Sequence, residues 1–140
     1  MEKRMETAIN VKAKKILVVE DDKDINHLIY YNLSKKGYKV DCVYDGIKAK
    51  EKLTNNVFDV VILDVMLPGI NGFKLCEFIK SNKANFRTFV VLLTARAEPL
   101  DKIYGNVVGA DYYMTKPFSI SKLMDVVRDF SFNQKKEVKQ

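Results

Sequence analysis

The sequence predicts an α/β fold, a parallel sheet with helices on both faces, and three observations carry that expectation. Short apolar runs rich in β-branched residues recur at 16–19, 57–63 and 89–93, as suits strands covered on both sides. Segments with apolar residues at helical spacing alternate with those runs, which implies right-handed crossovers between parallel strands. The chain has 140 residues, 47% hydrophobic and 30% charged, enough for one packed core and unlike disordered, collagen-like or disulfide-framed chains.

Residues 16–19 (ILVV) make the first strand. A helix over 24–37 follows, with Ile25, Leu28, Ile29, Asn32 and Leu33 at helical spacing and Gly37 as its left-handed stop. Residues 38–44 alternate weakly as a second strand, and after the Asp45-Gly46 turn Ile47, Ala49, Lys50 and Leu53 mark a shorter helix. The run 57–63, interrupted only by Asp59, is the third strand. A loop with Pro68, Gly69 and Gly72 leads to a helix near 73–80 whose inward face is Phe73, Cys76, Phe78 and Ile79. Residues 89–93, 98–108 and 112–115 read as strand, helix and strand. Ser119 is placed to cap a last helix carrying Leu123, Val126, Val127 and Phe130 on one face.

The net charge of +6 raises the question of nucleic acid, and its distribution answers it. Residues 1–15 contribute +3 and 131–140 contribute +2, leaving +1 for the 115 residues between them. No phosphate-binding face on the folded body is indicated, although a basic tail can touch nucleic acid weakly. Cys42 and Cys76 are far apart and lack partners at metal-ligand spacing, so both are expected as reduced thiols. No run approaches the roughly 18 apolar residues of a membrane span, and MEKRMETAIN has no signal-peptide core, so a cytoplasmic location is expected.

In an open parallel sheet, ligands gather at the carboxyl ends of the strands. Glu20-Asp21-Asp22, Asp64, Thr94-Ala95 and Lys116-Pro117 all fall at such ends. Carboxylates held within about 5 Å repel by roughly 3 kcal/mol per pair at an effective dielectric near 20. Either one keeps its proton or a hard divalent cation binds, and carboxylates with a carbonyl and waters suit Mg²⁺. With Lys116 nearby, cation and amine together can hold the oxygens of a phosphoryl group, and Thr94 would donate a further hydrogen bond. A carboxylate at the centre can then attack phosphorus, and Asp64, at the end of the most apolar strand, is the best placed. The Pro and Gly after it permit a tight turn that brings the Met66 carbonyl toward the metal.

The ordered set ILVVEDD, DVMLPGING, LLTA and DYYMTKPF resembles the receiver domain of two-component response regulators over residues 14–131. The resemblance implies a flavodoxin-like doubly wound (βα)5 three-layer sandwich, strand order 2-1-3-4-5, with residues 1–13 a basic flexible tail and 132–140 a basic tail or the start of a linker. By the same resemblance Asp64 is the phosphoacceptor, and Mg²⁺ or Mn²⁺ is held by Asp21, Asp64, the Met66 backbone oxygen and, through water, Glu20. Lys116 pairs with phosphoryl oxygens and its bond to Pro117 is cis. Thr94 and Tyr113 are the switch pair that reports to the surface of the fourth helix, fifth strand and fifth helix. Ala95 leaves access to Asp64, and Met66 and Arg96 tune dephosphorylation, which is expected to be slower than in fast chemotaxis receivers. The implied partners are a sensor histidine kinase or histidine phosphotransfer protein and a downstream effector domain or protein. Nucleic acid would be met only through such an effector. The domain is expected to be no enzyme in its own right, assisting only its own phosphorylation and dephosphorylation.

Plainer roles stand beside these. Asp22 or Asp21 can cap the first helix, Tyr113 can be packing alone, and His27 is expected as a structural histidine. Many transcriptional receivers use charged pairs across the last helices to dimerise. Val107, Tyr112 and Val126 stand at places where that subgroup tends to carry charge, which speaks against a phosphorylation-dependent dimer by that route. Two other readings compete: a degenerate receiver serving only as a binding module, which should lack one of the key residues, and a flavin or nucleotide binder, whose first turn should be rich in Gly, Ser or Thr. Here that turn is Glu-Asp-Asp-Lys-Asp. An aspartyl phosphatase would need a second Asp two residues after Asp64, where Met66 stands.

Overall fold

The computed structural model describes residues 14–95 and 98–139, with side chains through residue 130. The elements are β1 (Lys15–Val19), α1 (Lys23–Lys35), β2 (Lys39–Val43), α2 (Gly46–Asn55), β3 (Val60–Asp64), α3 (Gly72–Ser81), β4 (Phe89–Thr94), α4 (Pro99–Val107), β5 (Tyr112–Thr115) and α5 (Ile120–Lys139). The strands form one parallel sheet in the order β2-β1-β3-β4-β5, the doubly wound arrangement expected. The expected tail 1–13 and Arg96 lie outside the described residues, as do the side chains of 132–140, where the backbone of α5 continues to Lys139.

Alternation along each central strand sends its side chains into two cores. Ile16, Val18, Val60, Ile62, Val91 and Leu93 meet Ile29 and Leu33 of α1 and Leu123 and Val127 of α5. Leu17, Val19, Val61, Leu63, Val90 and Leu92 face the other way, onto Ala49 and Leu53 of α2 and Leu75, Cys76 and Ile79 of α3. Each fully buried side chain of this kind contributes about 1.5–3 kcal/mol. Because β3 is buried at every residue, the strand that ends in Asp64 is held on both faces.

Helix ends follow local chemistry. Asp22 caps α1 by accepting from the amides of Asp24 and Ile25 at 3.0 and 3.2 Å. Gly37, at φ 98°, lets its own amide and that of Tyr38 return to the Ser34 and Leu33 carbonyls and closes the helix. The Ser119 hydroxyl accepts from the Lys122 amide at 3.2 Å.

The structure revises the expected inner faces in several places. Leu28 is 46% exposed and Asn26 takes the inward position on α1. On α2, Ile47 and Lys50 point outward, whereas Gly46, Ala49 and Leu53 are buried. Strand β3 begins at Val60, leaving Val57 exposed, and Leu75 joins Phe73, Cys76 and Ile79 inside α3. Val126 lies in the core and Tyr112 is half-buried against it, so neither is a free surface position; Val107 is exposed. Helix α4 buries only Asp101 and Gly105, while Leu100, Ile103, Tyr104 and Val107 face solvent.

Candidate functional site

Four strand ends converge. Glu20 follows β1, Asp64 ends β3, Thr94 ends β4 and Lys116 follows β5. Neighbouring parallel strands in register put these ends side by side: Val19 pairs with Leu63, Asp64 with Leu93, and Thr94 with Thr115. A Lys116 amide donation to the Thr94 carbonyl at 2.8 Å extends the ladder by one residue and fixes where the lysine side chain starts. The Lys116–Pro117 peptide bond is cis.

Glu20 is oriented from several sides. Its amide donates to the Val43 carbonyl at 3.2 Å and its Oε2 accepts from the Asp22 amide at 3.0 Å. Beneath it the buried Asn26 side chain donates to the carbonyls of Glu20 and Val43, each at 3.0 Å, locking the β1 end to the β2 end. Asp64 is 5% exposed; its Oδ1 accepts from the Met66 amide at 2.9 Å and its Oδ2 from the Lys116 amine at 2.7 Å. The same amine stands 2.6 Å from Glu20 Oε1. That contact is an ion pair without hydrogen-bond alignment, and Oε1 is buried with no aligned donor.

Oxygen atoms of Glu20, Asp21 and Asp64 all lie within 4.8 Å of one another, the first and last buried and Asp21 exposed. Three carboxylates so close, with a single amine shared between two of them, fit a hard divalent cation bound through oxygen, with Asp21 open to water. Electrostatics agree. Burial is the largest influence on Glu20 and pushes its carboxyl above the usual range, aided by Asp64 and opposed by Lys116. For Lys116 burial pulls downward, but the hydrogen bond and charge of Asp64 and the charge of Glu20 outweigh it, and its ammonium form is favoured beyond the ordinary. One amine thus serves two acids.

The sequence-predicted residues come out as follows. Glu20, Asp21, Asp64 and Lys116 share one cluster. Thr94 is buried at the neighbouring strand end, Ala95 beyond it is exposed, and Met66, two residues after Asp64, is 60% exposed. Tyr113 is half-buried between β5 and α4. Asp22 caps α1 and stays apart from the cluster. The sequence reading missed Asn26, whose signal was a polar residue at the inner position of an otherwise apolar stripe, and the Lys116–Glu20 pair.

Comparison with known proteins gives one consistent answer. The family model described as the response regulator receiver domain matches residues 16–128. The response regulator ArlR of Staphylococcus saprophyticus is 40% identical over 114 residues, covering 81% of this chain and 50% of that protein, so the chain spans about half the length of this relative. Among solved structures, the chemotaxis response regulator CheY4 of Vibrio cholerae is 30% identical with a TM-score of 0.78, over 84% of this chain and 98% of that one. The receiver domain of the Francisella response regulator 1452 is 32% identical with a TM-score of 0.80, over 86% and 98%.

Proposed function

The chain belongs to the response regulator receiver domain family of two-component signalling, and from that premise we propose that it accepts a phosphoryl group on Asp64 from a phosphohistidine of a sensor kinase or phosphotransfer partner. One observation carries the proposal: Asp64 sits between the Lys116 amine and the Met66 amide, with the carboxylates of Glu20 and Asp21 alongside. An Asp64 oxygen attacks phosphorus, the phosphorus–nitrogen bond breaks, and the imidazole leaves and takes up a proton from solvent. The product is an acyl phosphate on Asp64.

A Mg²⁺ or Mn²⁺ ion held by Asp21, Asp64 and the Met66 carbonyl, with Glu20 acting through water, would neutralise charge on the transferring group. Lys116, already charged, moves from the two carboxylates onto a phosphoryl oxygen, and Thr94 at the next strand end donates to another. The acidic turn after β1 disfavours the alternative of direct flavin or nucleotide phosphate binding. By the family resemblance Ala95 and Met66 tune loss of the phosphoryl group, and the bulk of Met66 supports a slow loss; Arg96, given the same role by that resemblance, lies outside the described residues.

The reading extends to Thr94 and Tyr113 as the pair that passes phosphorylation to the surface of α4, β5 and α5, and to an effector domain or protein as its reader. Because Val126 and the Tyr112 ring are engaged in the core, a charge-paired dimer through that surface is disfavoured. No described helix is long and apolar enough to cross a membrane, which accords with a cytoplasmic role.

Incubation with acetyl phosphate tests the assignment. Labelling should require Mg²⁺ or Mn²⁺ and vanish in Asp64→Asn. A variant that still labels would overturn the assignment of Asp64, and labelling of wild type in a chelator would overturn the role of the cation.

A further inference from the structure

Helix α4 turns two unusual residues inward, Asp101 and Gly105, and the second lies over a ring. A Cβ built at Gly105 would stand 3.1 Å from Tyr113 Cδ2 and 3.4 Å from both Tyr113 Cε2 and Leu92 Cδ1. Any side chain at this position therefore meets the Tyr113 ring first. We propose that Gly105 is the positioning residue for Tyr113: the bare backbone at this point of α4 holds open the seat in which the ring lies.

The argument turns on which neighbour can yield. Leu92 is 0% exposed at the centre of β4 and packed on all sides, so it cannot retreat. Tyr113 is only partly buried where it packs against that core, so its ring is the less enclosed of the two neighbours. Helix α4 itself is tied on its α3 side by the edge-on contact of Tyr104 with Phe73, ring centroids 4.7 Å apart, which resists lifting of the whole helix. A methyl group at 105 is thus relieved mainly by the ring moving outward. Gly105 sets the balance between the inward and outward positions of Tyr113, a deepening of the switch reading on which this inference rests.

Helix propensity makes the proposal testable by sign. With nothing in the way, Gly→Ala in a helix interior stabilises. Gly105→Ala should instead lower the urea midpoint of the full chain carrying Tyr113, and raise it in Tyr113→Leu, whose side chain leaves the ring's space. The swing between backgrounds should be at least about five-fold in the unfolding equilibrium constant. No swing would overturn the seat. Should Tyr113→Leu fold poorly, fluorine NMR of 3-fluorotyrosine-labelled chain supplies the second measurement: Gly105→Ala should move the Tyr113 signal toward its solvent-exposed shift with the other tyrosines unchanged, and an unmoved signal would overturn the proposal. Addition of Mg²⁺ with beryllofluoride to the labelled wild type separates the two claims. A signal that ignores beryllofluoride while the stability swing persists supports the seat and removes the switch reading.

Discussion

Lys116 holds its amine 2.6 Å from Oε1 of Glu20, a carboxylate that is 1% exposed, while donating at 2.7 Å to Asp64. Lys116→Met would leave two buried carboxylates facing each other without a cation of the protein's own. Removing one partner of a buried ion pair costs about 3–5 kcal/mol. Urea unfolding in chelator should show a loss of that order, and millimolar Mg²⁺ should recover a larger share in the variant than it adds to wild type. An unchanged midpoint in chelator would mean that the amine is ornamental to the apo site.

The pair also sets the pH dependence, because both groups shift upward. The raised Lys116 pKa gives stabilisation that is complete below its reference value of 10.5 and lost as pH rises through its folded value. The Glu20 carboxyl, also raised, favours the fold below 4.5, a contribution lost as pH climbs through its folded value. Glu20→Gln cannot ionise, so in chelator its stability relative to wild type should increase from pH 4 toward pH 7. Urea titrations of both chains at several pH values check the sign, and a difference that narrows with rising pH contradicts it.

Cation binding should be visible without any phosphodonor. A ligand at 100 times its Kd stabilises by about 2.7 kcal/mol, several degrees of Tm for a chain of this size. The sequence has no Trp, so circular dichroism is the suitable probe. Mg²⁺ should raise the Tm of wild type, with the increment reduced in Asp21→Asn and in Asp64→Asn. Equal increments in all three would place the ion elsewhere.

Much of this arrangement was legible in the sequence, for definite reasons. Strands buried on both faces leave unbroken apolar runs such as 60–63 and 90–93, and the acids stand where those runs stop, so strand ends and site could be read together. Strand order came only through the family resemblance, since local pattern carries no information on which strands are neighbours. Leu28 and Asn26 illustrate the other failure. Sorting a helix by hydrophobicity puts leucine inside and asparagine outside, whereas here the buried amide donates to two strand-end carbonyls and so ties β1 to β2. Nor could spacing disclose that one lysine serves two carboxylates, because that depends on side-chain reach across β1, β3 and β5.

The thiols give a prediction independent of the acidic cluster. Burial, with Asp41 adding to it, raises Cys42 to about 11, and burial raises Cys76 to about 12, from a reference of 9.0. Thiolate is the reacting species, so ionisation at pH 8 is suppressed about 100-fold for Cys42 and more for Cys76. Iodoacetamide should modify the denatured chain at least about 100-fold faster than the native one, and Cys42 before Cys76. Native labelling at the denatured rate would show that the thiols are not shielded as their burial requires.

Gly72 begins α3 directly behind the end of β3, and its amide donates to the Val65 carbonyl at 2.8 Å. A Cβ there would stand 2.6 Å from Val65 Cα and 2.8 Å from Leu63 Cδ1, and would press on the Asp64 carbonyl oxygen. These are mainly backbone atoms at the end of β3, the strand that carries Asp64, so they cannot rotate aside. Alanine's better helix propensity favours the substitution by about 1 kcal/mol, but overpacking against backbone costs about 3 kcal/mol and should prevail. Relief requires α3 and the end of β3 to separate, which disturbs the backbone on either side of Asp64 and with it the alignment of that carboxylate in the cluster. Gly72→Ala is therefore expected to lower stability by about 2 kcal/mol net and to shrink the Tm increment given by Mg²⁺. Lys74→Ala, an exposed change on the same helix, should leave both nearly as in wild type. A Gly72→Ala chain with wild-type stability and a full Mg²⁺ increment would mean that the close approach of α3 to β3 does not hold the site in place.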